Sequence, residues 1–159
     1  AGLPVLSPEE PLLLPYLMDE SVPVRKSGFV YDGLKEGDAK SEIRALHVSQ
    51  ALALKLHSSH LADVHSLCLV GGGARNNFMK QLLADVFGTG VYCLDNTVYA
   101  APMGCAISGA KYVSGLSYEE AAEKYVHSRD VETSSPLDMN TDVVKILLER
   151  YAKLEKSNA

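Results

Sequence analysis

Apolar positions recur along this chain with two different periods. From Asp38, the residues Ile43, Leu46, Gln50, Ala53, Leu54, His57 and Leu61 return every three or four positions, which predicts a long amphipathic helix reaching about Leu61. Ser66 to Val70, "SLCLV", is apolar almost throughout, as in a central parallel strand covered by helices on both faces. Three glycines follow, and then Phe78, Met79, Leu82, Leu83, Val86 and Phe87 make one helical stripe, with Gly88 placed to cap its end. "GVYCL" reads as the next strand, and "YAAPMGCAISGAKYVSG" as a helix of small residues that tolerates Pro102 only near its first turn. Ser117 with Glu119 and Glu120 starts a short helix, and Thr141 to Lys156 a last one carrying Val143, Val144, Ile146, Leu147, Tyr151 and Leu154.

The first 37 residues behave differently. Pro4, Pro8, Pro11, Pro15 and Pro23 make them extended, with "LLLPYL" as a buried strand and "SGFVYDGL" as a short strand or hairpin arm. The expected organisation is therefore a single unit over residues 1–159, with an extended segment at 1–37 and a helix-strand-helix core at 38–159. Strand, glycine turn, helix, strand and helix in that order predict an α/β fold with a parallel pair. Only two central strands are legible, so the sheet is expected to be incomplete, its flanking strands missing or supplied by the proline-rich N-terminus.

Composition narrows the chemistry. The chain has 159 residues, of which 47% are hydrophobic, enough for one domain with a core. Fifteen basic and twenty acidic residues give a net charge of -5, without a basic face of the kind nucleic acids require. Cys68, Cys93 and Cys105 are odd in number, far apart and in apolar contexts, so they are expected to be reduced core thiols in a cytosolic protein. No run approaches the roughly 18 apolar residues of a membrane span, and the N-terminal residues lack a basic n-region; neither a membrane nor a nucleic-acid partner is expected.

The glycine turn is the candidate for function. Glycines at a strand end let backbone approach a ligand with no Cβ in the way, and the next helix offers free N–H donors. The plainer reading is a tight strand-to-helix turn. A dinucleotide fold asks for G-x-G-x-x-G with an acidic residue about 20 positions on. Gly71, Gly73 and Asp95 fit that pattern, but Asn76 stands at the third glycine. A Walker loop is excluded because no G-K-[ST] follows. Asn76 suits an N-cap for the amide of Met79, and it equally suits an amide turned toward an adenine or ribose lying across the glycines.

Taken together, Gly71-Gly72-Gly73-Ala74-Arg75-Asn76, Gln81 to Asp85, Val91 and Gly104 to Ala110 resemble the adenosine-binding segment of the FGGY carbohydrate kinases. Upstream, "LLLPYLMDESVP" and "IRALHVSQAL" are similar to that family's PYL and R-A-x-x-E-G segments. Within the family, "RAL", "LADVFGTGVY" and "YAKLE" look most like xylulose kinases. The resemblance covers nearly the whole chain, but only about the last third of a full kinase. It implies part of a ribonuclease H-like, actin-like ATPase domain, with ATP or ADP contacted by Gly72, Gly73 and Asn76, next to Gly71. Ala101 and its small-residue helix would lie near the adenine or against the hinge. In the complete enzyme the implied reaction is phosphoryl transfer from ATP, with Mg²⁺, to a sugar such as D-xylulose.

Three departures bear on that implication. Val48-Ser49 replaces the Glu-Gly of the helix motif, leaving Arg44 without its usual partner; Asp19 replaces a glycine; and the family's catalytic and sugar-binding residues have no counterpart here. No catalytic residue and no metal ligand is assigned, and the chain alone is expected to be inactive. A non-catalytic nucleotide-binding or interaction module is the alternative. Asp95 is the better placed of two tempting carboxylates, while Asp85 is expected to be solvated or capping. His57, His60 and His65 read as surface residues, the Glu119/Glu120/Glu123 face as solvated, and the Gly104/Ala106/Gly109/Ala110 face as one for close helix packing. Exposed sheet edges predict self-association or a complementing chain.

Overall fold

The computed structural model describes residues 5–21, 24–34, 37–61, 64–94, 99–126 and 130–157. Strands β1 (Leu12–Tyr16) and β4 (Gly28–Asp32) form an antiparallel pair, and β2 (Glu20–Ser21) pairs with β3 (Val24–Arg25) between them in sequence. Helix α1 (Ala39–His57) is followed by β5 (Ser66–Leu69), a 3-10 turn (Gly72–Arg75), α2 (Asn77–Phe87) and β6 (Gly90–Leu94). Then come α3 (Ala100–Ser114), α4 (Tyr118–Tyr125), β7 (Asp130–Ser134), a second 3-10 turn (Asp138–Asn140) and α5 (Thr141–Ser157). β5 runs parallel to β6, and β7 antiparallel on its other side.

The helix ends follow the chemistry of nearby residues. Asp38 accepts from the Ser41 amide at 3.3 Å to open α1. Gly88 closes α2 with φ 67°, where a side chain would be strained, and donates to the Ala84 carbonyl at 2.9 Å. Ser117 and Glu120 form a reciprocal capping box at α4. Leu12, Leu14, Val48, Leu52, Leu82, Val91 and Leu147 fill one core, so β1, α1, α2, β6 and α5 share it. Each such side chain contributes roughly 2 kcal/mol by leaving water. Glu155 ties α5 to that core's edge, accepting from the Tyr16 hydroxyl at 3.0 Å and lying 3.1 Å from Nε2 of His57.

Several expectations are corrected. The buried face of α1 is Ala45, Val48, Ser49, Ala51 and Leu52, while Ile43 and Leu54 of the expected stripe are exposed. The helix is apolar on two faces, and β1, α2 and α5 pack on the one carrying the smaller residues. It ends at His57, with Leu61 in the turn beyond it, where its amide donates to the Ser58 carbonyl at 2.9 Å. β5 is an edge strand: Leu67 and Leu69 are half-buried against the core, whereas Ser66, Cys68 and Val70 are exposed. The centre of the sheet is β6, where Val91 and Cys93 are buried. The N-terminal strands pair with each other and not with β5, and the third strand is β7, whose polar "DVETS" carries no apolar signal. Cys93 alone is a core thiol, Cys68 and Cys105 being exposed. α3 buries none of its described residues and packs chiefly on α4, so its Gly104, Ala106 and Gly109 remain exposed. Among the described residues no helix is long and apolar enough to cross a membrane.

Candidate functional site

The glycine turn is pinned from below and open above. Ala74 is buried, and its carbonyl accepts from the Cys93 thiol at 3.6 Å, which fastens the turn to β6. Gly71 has φ 82° and ψ -167°, a conformation essentially reserved for glycine. Gly72 and Gly73 are exposed, and a Cβ on either would meet no atom of the described residues within 4 Å. Internal packing therefore does not explain why these two positions lack side chains. Asn76 ends the turn and opens α2, accepting from the Met79 amide at 3.2 Å through Oδ1. Exposed backbone and a helix N-terminus thus meet at one place, the arrangement that binds anionic or polar ligand groups.

A cleft of about 500 Å³ lies beside Asn76, between α1 and α2, walled by Ile43, His47 and Phe78 with Lys40 and Arg44 at its rim. Nδ2 of Asn76 is 3.2 Å from Nε2 of His47, and the His47 ring meets Phe78 edge-on at 5.9 Å between centroids. The Arg44 guanidinium sits 5.7 Å from the Phe78 ring centre. The cleft therefore combines flat apolar walls with a basic rim, which suits a planar, anionic molecule. A larger cleft of about 670 Å³ further along the same helices is walled mainly by Ala53, Leu54, Met79 and Leu83 and lacks that basic rim.

Arg44 is not left without a partner. Glu10 accepts from both its Nε and its Nη2, the second at 3.0 Å, and the Val5 carbonyl accepts from Nη2 at 2.9 Å. Hydrogen bonding to Glu10 is the largest cause raising the Arg44 pKa above its ordinary value. Val48 and Ser49 are both buried, and Ser49 Oγ accepts from the Leu13 amide at 2.9 Å, binding α1 to β1. Asp19 is accommodated as an exposed carboxylate that accepts from Lys26 and the Ser27 amide, and those bonds, Lys26 first, hold its pKa below the usual value.

Gly71, Gly72, Gly73 and Asn76 thus share one turn, while Ala101 is exposed on the first turn of α3. Asp95 lies outside the described residues. Asp85 is corrected: it is buried, and it accepts from Gln81 at 3.1 Å, the Leu137 amide at 2.7 Å and Asn140 at 2.8 Å. It anchors the segment after β7, because α2 is covered on its polar side by that segment. His57 faces Glu155, and Nδ1 of His60 lies 3.1 Å from the His57 carbonyl. Among the described residues no three His, Cys, Asp or Glu side chains gather as metal ligands. Sequence reasoning missed His47, Phe78 as a cleft wall and the Glu10 partner of Arg44. The spacing of His47 and Asn76, 29 residues, carries no local signal.

With this geometry in place, comparison with known proteins is specific. The model of the FGGY family of carbohydrate kinases, C-terminal domain, matches residues 3–112. A xylulose kinase of Bacillus subtilis (strain 168) is 31% identical over 156 residues, which is 90% of this chain and 30% of that protein. A xylulose kinase of Rattus norvegicus is 31% identical over 121 residues, 72% of this chain and 22% of the relative. Among solved structures, a xylulose kinase from Rhodospirillum rubrum aligns with a TM-score of 0.66 at 23% identity, over 98% of this chain and 32% of its own. A gluconate kinase from Lactobacillus acidophilus aligns with a TM-score of 0.67 at 17% identity, over 94% and 31%. At such identities these structures are alike in fold, and the chain spans less than a third of each of these relatives.

Proposed function

The chain belongs to the FGGY family of carbohydrate kinases, as part of its C-terminal domain, and on that premise we propose that it is the nucleotide-binding portion of an ATP-dependent pentulose kinase, most like xylulose kinase. The observation that carries this is the glycine turn. Gly72 and Gly73 present open backbone, Gly71 makes the turn, and Asn76 holds the α2 N-terminus beside a basic-rimmed cleft. These residues fit a nucleotide: backbone N–H groups and the helix end suit phosphate, and the flat wall at Phe78 suits a base. Ala101 is assigned a place near that base through its match to the family's small-residue helix.

In the complete enzyme ATP would supply the γ-phosphoryl group for a sugar hydroxyl, and Mg²⁺ would supply charge neutralisation at the phosphates. This chain's part is to bind and orient the nucleotide. The base that takes the hydroxyl proton and the sugar contacts are assigned to a preceding part of the protein, and Mg²⁺ to no side chain here. We place the protein in the cytoplasm, where ATP and reduced thiols are at hand. The alternative, a module that has lost the kinase, draws on the Val48-Ser49 departure and on the missing catalytic part; the Arg44–Glu10 pair supplies a substitute contact for the first and leaves the second to experiment. Calorimetry with ADP, AMP and NAD tests the reading. Binding of ADP in preference to NAD is expected, and preference for NAD refutes it. Mixing with a chain carrying the preceding part should restore phosphorylation of D-xylulose, and failure of the intact protein to phosphorylate any pentulose removes the kinase assignment.

A further inference from the structure

We propose that His47 is a positioning residue that holds the Asn76 amide for the nucleotide, and that its protonation releases that amide, making nucleotide affinity fall with pH. This rests on the nucleotide reading of the glycine turn. Oδ1 of Asn76 accepts from the Met79 amide at 3.2 Å, so the orientation of the side chain is set by the helix cap. Its Nδ2 can only donate, and it faces Nε2 of His47 at 3.2 Å. Nδ1 of His47 lies 2.7 Å from the Ile43 carbonyl, which can only accept. Nδ1 therefore carries the proton and Nε2 is bare, and the ring is the neutral Nδ1–H tautomer. One N–H of Asn76 is spent on His47, and the other meets no acceptor among the described residues, which leaves it for a ligand.

Adding a proton to Nε2 sets two donors against each other. Asn76 can then meet the imidazolium only by turning Oδ1 toward it, which abandons the Met79 amide and the cap of α2. Lys40 and Arg44 line the same cleft from α1, Arg75 precedes Asn76 on the turn, and the positive end of α2 lies adjacent. No carboxylate lines the cleft among the described residues, and Glu10 is paired with Arg44. When Oδ1 turns toward the imidazolium, the amide leaves the place where a ligand would meet it.

ADP affinity measured by calorimetry between pH 8 and pH 5.5, where histidine side chains generally change charge, tests this. Wild type is expected to weaken about fivefold on acidification, the scale on which one hydrogen bond acts. The His47→Gln variant keeps an oxygen that can accept from Asn76 but cannot titrate. It is expected to recover most of what His47→Leu loses at pH 8, and the ratio of wild-type to His47→Gln affinity should fall with pH, which cancels titration of ADP itself. A ratio that stays flat or rises overturns the inference and leaves the nucleotide reading standing, whereas no ADP binding by wild type at pH 8 overturns both. Imidazole ¹⁵N shifts give a readout independent of binding: an Nε2–H tautomer for His47 in the ligand-free protein refutes the positioning role outright.

Discussion

Replacing Asp85 with alanine discriminates a buried anchor from the solvated residue that its sequence context suggests. The carboxylate accepts from the Leu137 amide, Asn140 Nδ2 and Gln81 Nε2, and Gln81 also donates to the Ser135 carbonyl at 2.7 Å. Hydrogen bonds to a charged group contribute about 1.5–3 kcal/mol each. Three such bonds, discounted because Gln81 and Asn140 keep other contacts, would cost roughly 3–6 kcal/mol by that scale. Asp85 also lies in the last turn of α2, where a negative charge opposes the helix dipole, and its removal returns about 0.3–1 kcal/mol. The net cost is about 2–6 kcal/mol, a large share of the roughly 5–15 kcal/mol that holds a typical domain together. At about 2–4 °C per kcal/mol for a chain of this size, the melting temperature should fall by roughly 4–24 °C. Thermal unfolding followed by far-ultraviolet circular dichroism measures it, with Asp85→Asn, which keeps one acceptor oxygen, falling in between. A shift under about 2 °C would mean that Asp85 behaves as a surface residue, whose replacement changes stability by about 0.5 kcal/mol or less, and the anchoring role would be wrong.

Other positions separate binding from stability. Asn76→Ala removes the cap and the amide, so it should cost about 1 kcal/mol and weaken ADP binding, whereas Asn76→Asp keeps the cap and loses only affinity; melting curves and calorimetry on the same samples distinguish them. Gly73→Val should leave the melting temperature within a degree or two, since its Cβ meets nothing, while ADP binding is lost. Gly71→Ala should destabilise by about 1–3 kcal/mol in chemical denaturation because its backbone conformation excludes a side chain. The Tyr151 phenol is pushed above its ordinary value by burial first, then by the nearby Tyr16 and Glu155. Its folded pKa being raised, the stability it contributes is intact below pH about 10, where the unfolded phenol ionises, and is lost as pH rises further. Denaturation midpoints compared across pH 9 to 11 should therefore fall in wild type and fall less in Tyr151→Phe.

The elements legible in the sequence are those whose decisive partners lie within a few residues. The Asn76 cap on Met79, the Gly88 closure of α2 and the Ser117–Glu120 capping box each span three or four positions, and residue type at that spacing is enough to specify them. The glycine turn was legible for the same reason, because Gly71 needs its left-handed φ whatever surrounds it. β7 escaped notice because "DVETS" pairs through backbone and carries no apolar alternation. β5 misled because an apolar run reads as doubly covered, whereas only its Leu67 and Leu69 side turns to the core.

The sequence by itself determined the local grammar: helices, caps, the open glycines and the order of motifs shared with the FGGY kinases. Tertiary structure decided which of two apolar faces of α1 is buried, since both carry enough hydrocarbon and only the shapes of β1, α2 and α5 choose between them. It also decided the polar contacts across the site. His47 meets Asn76 over 29 residues, Arg44 meets Glu10 over 34 and Asp85 meets Asn140 over 55. Such pairs are made when packing of the apolar faces brings the chain together, and each polar group then takes whichever partner burial leaves within reach, because going without one costs more than any local preference.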